Sequence, residues 1–351
     1  MLKIIVTAIT FSLLLEGCIT VDMRPNSKKS GTANNTKKTD TSTEKKLTPE
    51  ENLKAGNKYA KDGLYREAIQ KFQLVVHSDT KNPEANRNLG IVYVKTGQYD
   101  KAIKYLSIAI EKLPRNFEAN YYLAEAKRTQ DKYDEAIFHY KTALEIEPKN
   151  TQTMKALAWS YFQIRYYKAA FEIAKNLKSQ VKNDVQVDII LARILDRMGR
   201  PKAALKTLQR ALTYTESSQL PYLKSVLGDV FMRAGNCKKA KDIYQDALKK
   251  QPLLAGALLG LGKCLIKEGG RDELARSYLE SAVRIKPKLV EAYYLLGKSY
   301  EKIDLKKSAR YYAIFGKNAA GDPTFLDQVA TTRRRIGLIK RKIDSKTSDN
   351  N

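Results

Sequence analysis

Two histidines, three cysteines and 38 acidic residues are the side chains of this 351-residue chain best suited to chemistry. A metal site needs His, Cys or carboxylate ligands gathered on one face at short helical spacing. His77 lies in VVHSDT and His139 in IFHYKT, and neither belongs to a ligand set of that kind. The chain has no glycine-rich phosphate loop, no nucleophile elbow and no zinc-protease helix. Its carboxylates are scattered through amphipathic stretches, and most are expected to solvate outer faces. The sequence therefore predicts no catalytic residue, no metal and no cofactor. It predicts a protein that binds.

Cys237 and Cys264 fall in adjacent segments. They are expected to be unpaired thiols, at least one packed as a small hydrophobe. A disulfide stays open, because sequence does not give the distance one requires. Cys18 has a different setting. Lys3 is followed by the apolar run Ile4 to Leu15, too short to span a bilayer but suited to a signal-peptide core. Leu15-Glu16-Gly17-Cys18 then resembles a bacterial lipobox. That resemblance implies a signal peptide over 1–17 and a lipidated Cys18, whose several acyl chains would anchor the chain stably. Ile19, in place of the aspartate that marks inner-membrane retention, points to the outer membrane, facing the periplasm. Residues 18–48 are rich in Ser, Thr, Asn and Lys and are expected to form a disordered tether. A coil of that length reaches on the order of 30 Å.

The elements that must position any binding groups announce themselves by a 34-residue beat. Small residues recur at Gly56, Gly90, Ala124, Ala158 and Ala192, then at Gly228, Gly262 and Gly297. Ala68, Ala102, Ala136, Ala170, Ala204, Ala240, Ala275 and Ala309 keep step twelve or thirteen residues later. Between them, apolar residues follow the helical period, as in Ala85, Leu89, Val92 and Tyr93, with Gly97 supplying a turn and Pro114 a stop. Each beat reads as two amphipathic helices. Mid-helix glycine costs about 1 kcal/mol against alanine, so its recurrence implies a packing gain where two backbones touch. Leu89-Gly90, Tyr93, Tyr99, Ala102, Leu106, Ala109 and Pro114 carry a resemblance to the tetratricopeptide repeat. The resemblance implies an all-α, right-handed α-solenoid of about eight units over 49–319. A basic C-terminal helix over 320–343 would cap it, with a disordered tail at 344–351.

In that family the first helix of each unit, helix A, lines a concave groove that binds partner proteins. The matching positions here include Tyr122 and Arg128, Trp159 and Phe162, Arg193 and Arg197, and Met232 and Arg233. Trp159 is the only tryptophan, and large aromatics anchor interfaces with few rotors. The alternative, that these rings fill space between helices, stays open. Asn57 and Asn88 stand where chaperone-binding members hold a peptide backbone. Leu53, Glu118 and Tyr122 replace the basic residues those members use on a carboxylate, so a carboxylate clamp is not expected. In the C-terminal helix, Phe325, Leu326, Val329, Ile336 and Ile339 would dock on the last repeat. Arg333, Arg334, Arg335, Lys340, Arg341 and Lys342 would form a basic outer patch for an anionic partner.

The net charge is +26, from 64 Lys and Arg against 38 Asp and Glu. Such a balance raises nucleic acid as a partner, but an exported lipoprotein would seldom meet any. Proteins of the envelope, anionic lipid or anionic glycan are the expected partners. The order of signal, lipobox and repeats resembles pilotin lipoproteins, which assist assembly of the outer-membrane pore of type IV pili. That resemblance implies a scaffold for an envelope complex. An adaptor for peptidoglycan enzymes and a structural component of motility or polysaccharide export remain alternatives.

Overall fold

The computed structural model describes residues 47–269 and 272–348. The signal segment, Cys18 and the tether up to residue 46 lie outside them. Among the described residues there are seventeen α-helices, one short 3-10 turn and no strand. The first sixteen helices form eight hairpins, each a helix A followed by a helix B: α1 (Pro49–Lys61) with α2 (Tyr65–Ser78), α3 (Pro83–Lys95) with α4 (Tyr99–Lys112), α5 (Phe117–Thr129) with α6 (Tyr133–Ile146), and α7 (Thr151–Gln163) with α8 (Tyr167–Gln180). The remaining four are α9 (Val185–Arg197) with α10 (Pro201–Leu212), α11 (Leu220–Arg233) with α12 (Cys237–Lys250), α13 (Ala255–Glu268) with α14 (Asp272–Ile285), and α15 (Val290–Tyr300) with α16 (Leu305–Asn318). A last helix, α17 (Leu326–Ser348), follows the 3-10 turn Pro323–Phe325. It continues past the expected end at 343, since no glycine or proline interrupts residues 339–348. The chain divides into two compact units, before and after the Ile173–Ala174 bond within α8.

The 34-residue beat has a local cause at every level. Thr48, Asn82, Asn116, Asn150 and Asp184 sit at the N-caps of α1, α3, α5, α7 and α9, each accepting a backbone N–H of the first turn. Between helices A and B of the first six hairpins the chain turns through a left-handed residue. It is Gly63, Gly97, Gly199 or Gly235 where glycine is present, while Asp131 and Arg165 adopt the same conformation with φ of 61° and 64°. The small residues of helix A answer to a side chain of helix B, where contact between the two backbones was expected. A Cβ on Gly56 would meet the Phe72 ring at 2.5 Å; on Gly90, Leu106 at 2.5 Å; on Gly228, Tyr244 at 2.5 Å; on Gly297, Tyr312 at 2.5 Å. The helix-B residue sixteen or fifteen positions later lies flat on the backbone of helix A. That is why the large residue at this phase is buried in seven of the eight hairpins: Phe72, Leu106, Tyr140, Leu208, Tyr244, Leu279 and Tyr312 are all 1% exposed or less, while the fourth hairpin carries Ala174 there.

The core of the first unit runs through Phe72, Leu89, Tyr93, Leu106 and Leu123, with a second cluster around Ala136, Tyr140 and Leu157. The second unit packs Met232, Cys237, Tyr244, Leu261 and Cys264 together, and further on Leu279, Leu296 and Tyr300. Both thiols are free and buried, with burial pushing the Cys264 thiol up to about 12. Phe325 and Val329 pack against Tyr293, Phe315 and Ala319, so the C-terminal segment docks on the last hairpin. Leu326, expected to join them, is 62% exposed.

Candidate partner-binding faces

In the first unit the helices A carry most of the singled-out residues. Asn88 on α3 donates from Nδ2 to Oδ1 of Asn57 on α1 at 2.7 Å, and Arg87 Nε donates to Asn88 Oδ1 at 2.9 Å. The two asparagines predicted from different repeats are thus one polar site, still partly open to solvent. On α5, Tyr122 packs half-buried against the core that Leu89 and Leu123 belong to, and the Tyr121 ring meets it edge-on at 5.2 Å. Burial, then the nearby Glu118, raises the Tyr122 hydroxyl pKa. On α7 the Trp159 and Phe162 rings stack at 5.3 Å, with Tyr167 of α8 at 5.7 Å from Phe162. Both rings are half-buried. They form an aromatic pair one helical turn apart, each ring partly exposed.

Arg128 is less available than expected. Its guanidinium pairs with Glu125 at 2.7 Å and donates from Nε to the Tyr140 hydroxyl oxygen at 3.1 Å, while that hydroxyl donates to Glu125. The second unit repeats the device. Tyr244 donates to Asp229 at 2.7 Å, and burial raises the Asp229 carboxyl pKa.

Cations predicted for the groove of the second unit are engaged within it. Arg193 lies over the Tyr222 ring at 5.7 Å. Arg233 pairs with Asp196, a carboxylate only 3% exposed, whose pKa is raised by burial against the pull of Arg233. Arg197 remains exposed on α9. Met232 is corrected: it is 9% exposed and packs with Cys237 and Tyr244, because its place one turn after Gly228 turns it toward α12. The expectation that carboxylates mostly solvate outer faces has an exception. Asp188 of α9 is fully buried, held by Lys178 at 2.8 Å and by Arg210 at 3.5 Å.

On α17, Arg333, Arg334, Lys340, Arg341 and Lys342 are exposed. Arg335 does not belong with them. It turns inward and pairs with Glu301, which also accepts from Tyr312. Sequence reasoning passed over one further set, the buried asparagines Asn52, Asn86 and Asn120. Each donates twice from Nδ2 to carbonyls of the preceding turn, as Asn86 does to Thr80 at 3.0 Å and Asn82 at 2.7 Å. Their 34-residue spacing was the signal.

Among the described residues no three His, Cys, Asp or Glu side chains gather as a metal-binding group, and no helix is long and apolar enough to cross a membrane. His77 is exposed; His139 lies with Nδ1 3.3 Å from Asn120 Oδ1.

Comparison with known proteins supports the same architecture. A family model described as tetratricopeptide repeat matches residues 87–151 and 226–290. Another, described as anaphase-promoting complex, cyclosome, subunit 3, matches residues 129–211. A tetratricopeptide repeat protein from Parabacteroides merdae superimposes with a TM-score of 0.63 at 15% identity, over 72% of this chain and 98% of that one. Yeast Tom70 does so with a TM-score of 0.61 at 16% identity, over 87% of this chain and 67% of that one. At these identities the likeness is one of fold. No curated protein matches the sequence.

Proposed function

The chain belongs to the tetratricopeptide repeat family, and from that premise we propose that it is a membrane-anchored scaffold of the bacterial envelope that holds protein partners on its helix-A faces. The observation that carries the proposal is the Trp159–Phe162 stack on α7. Two large, partly exposed rings held one against the other lose little freedom on binding. Partners would gain desolvated area there at small entropic cost. The Asn57–Asn88 pair in the same unit supplies amide donors and acceptors suited to an extended backbone. Anchoring follows from the lipobox-like Leu15-Glu16-Gly17-Cys18, with the tether giving the repeats reach. The partner class that fits this layout is the assembly machinery of an outer-membrane pore, as for pilotins of type IV pili.

The test is crosslinking and pull-down from membranes of the native organism, wild type against the Tyr122→Ala, Trp159→Ala double variant. Capture of a pore or pilus component by wild type, lost in the variant, is the expected result. Capture of cell-wall enzymes in its place would make the protein an adaptor for them. An equal catch from both proteins would remove these aromatics from the binding face.

A further inference from the structure

The C-terminal helix α17 takes the place of a ninth helix A. Its Arg335 grips Glu301 at the C-cap of α15, as Arg233 of α11 grips Asp196 of α9 in an earlier pair of units. Its inner side carries Val329, Thr332, Arg335 and Ile339 against the last hairpin. Among the described residues no helix B covers its other side. Leu326, Ala330, Arg333, Arg334, Leu338, Lys340 and Arg341 are all exposed there, with Leu326 at 62% and Leu338 at 56%. At 100° per residue these positions fall within one continuous arc a little under half the helix circumference. The exposed acid on that arc is Asp327.

We propose that this face of α17 lies on an anionic phospholipid bilayer. The charge argument is direct: four exposed cations against one acid attract a negative surface, and a second copy of the same face would repel it. The leucines choose among negative surfaces. Leu338 stands one turn from Arg334 and one turn from Arg341, so an apolar side chain is bracketed by cations with long flexible stems. That is the arrangement of an interfacial helix, where leucine enters the headgroup boundary and arginine and lysine stay at headgroup level. Leu326 repeats the apolar contact about 18 Å away at a rise of about 1.5 Å per residue. Lipidation at Cys18 is not needed for this contact. With it, the chain would touch the bilayer at both ends of its sequence.

The test places the reporter on α17 itself, so that association through the N-terminal apolar segment is not mistaken for it. The full chain with Cys18→Ser and Ala330→Cys is labelled at position 330 with an environment-sensitive fluorophore; Cys237 and Cys264 are buried. It is titrated with vesicles of phosphatidylglycerol and phosphatidylcholine, and with phosphatidylcholine alone. A blue shift with the anionic vesicles only, weakened by salt, is expected. Combining Arg333→Glu, Arg334→Glu, Lys340→Glu and Arg341→Glu should lower the apparent affinity by at least about a hundred-fold, as each cation near such a surface contributes about five-fold. The matched reversal of Lys112, Lys141, Lys149 and Lys168, exposed residues of the first unit, should leave the shift in place. Leu338→Asn, which alters no charge, should weaken it several-fold. No shift with anionic vesicles, or an equal shift in the α17 reversal, would overturn the proposal. So would a shift produced by polyglutamate and not by vesicles, which would make the face a reader of acidic polypeptides.

Discussion

At one phase of the repeat the two units of this protein solve the same problem with different chemistry. In the first unit the residue is asparagine three times, at Asn52, Asn86 and Asn120, and each ties down carbonyls of the turn before its helix. In the second unit the same phase brings Asp188, fully buried and neutralised by Lys178 and Arg210. Asparagine brings its own donors and needs no partner side chain. Aspartate must import cations, and a buried carboxylate that loses them is left with an uncompensated charge. The contrast extends outward. The first unit keeps aromatic rings half-open on its helix-A faces, while the second engages Arg193 and Arg233 on its own groups. A repeat can therefore hold its fold constant while one buried position is filled by a self-sufficient amide in one unit and by an ion-paired carboxylate in the other.

The comparison is tested most severely by removing the phase residue on each side. Asp188→Ala should destabilise the second unit by about 3–5 kcal/mol, because Lys178 loses its anion in a mostly buried site. Asn86→Ala should cost the first unit about 1–3 kcal/mol, the scale for unsatisfied buried carbonyls. Chemical denaturation of both variants measures the pair of losses, and equal losses would break the distinction.

A finer test uses the two buried tyrosines. Tyr244→Phe strips Asp229 of its hydroxyl donor and should cost about 2 kcal/mol. Tyr140→Phe should cost less, about 1 kcal/mol, since Glu125 keeps its pair with Arg128 at 2.7 Å. Thermal unfolding of the two single variants decides the order.

The smallest effect expected is one of pH. Burial first, then Lys127, lowers the His139 pKa to about 4 from an ordinary 6.5, against the opposing pull of Glu135. As pH falls below 6.5 the unfolded chain takes up the proton and the folded chain does not, so stability is lost progressively down to about 4. His139→Gln should flatten that slope. In the second unit burial raises the Asp196 and Asp229 carboxyls, so the folded state there binds protons more readily and acid acts in the opposite sense. Stability of wild type and His139→Gln measured across pH 4–7 separates the two contributions.

Most of the fold was legible because its cause is periodic. The recurring Gly and Ala of helix A, the Ala of helix B and the turn glycines lie on one beat, and each beat is a hairpin. Two further beats, the caps Asn82, Asn116 and Asn150 and the buried Asn52, Asn86 and Asn120, were present in the same count and could have been read from it. The site was legible only in part. Met232 and Arg335 were assigned outward because repeat offsets name a position along a helix, whereas burial depends on how neighbouring helices B and A rotate against it. The pairs Asp196–Arg233 and Glu301–Arg335 join residues 37 and 34 apart, a register that only stacked helices create. Asp188 looked like a surface carboxylate because nothing in its immediate sequence shows Lys178 and Arg210 closing over it.

The central claim, that partners bind on the helix-A faces of the first unit, is tested most directly by photocrosslinking in the native cell. A photoreactive residue is placed at Asn57, Lys155 or Phe162 on helices A, and at Leu74 or Phe138, both exposed, on helices B. The account predicts discrete protein adducts from the helix-A positions, lost on Trp159→Ala, and none of comparable yield from the helix-B positions. Adducts concentrated at Leu74 and Phe138, with none from helices A, would contradict it.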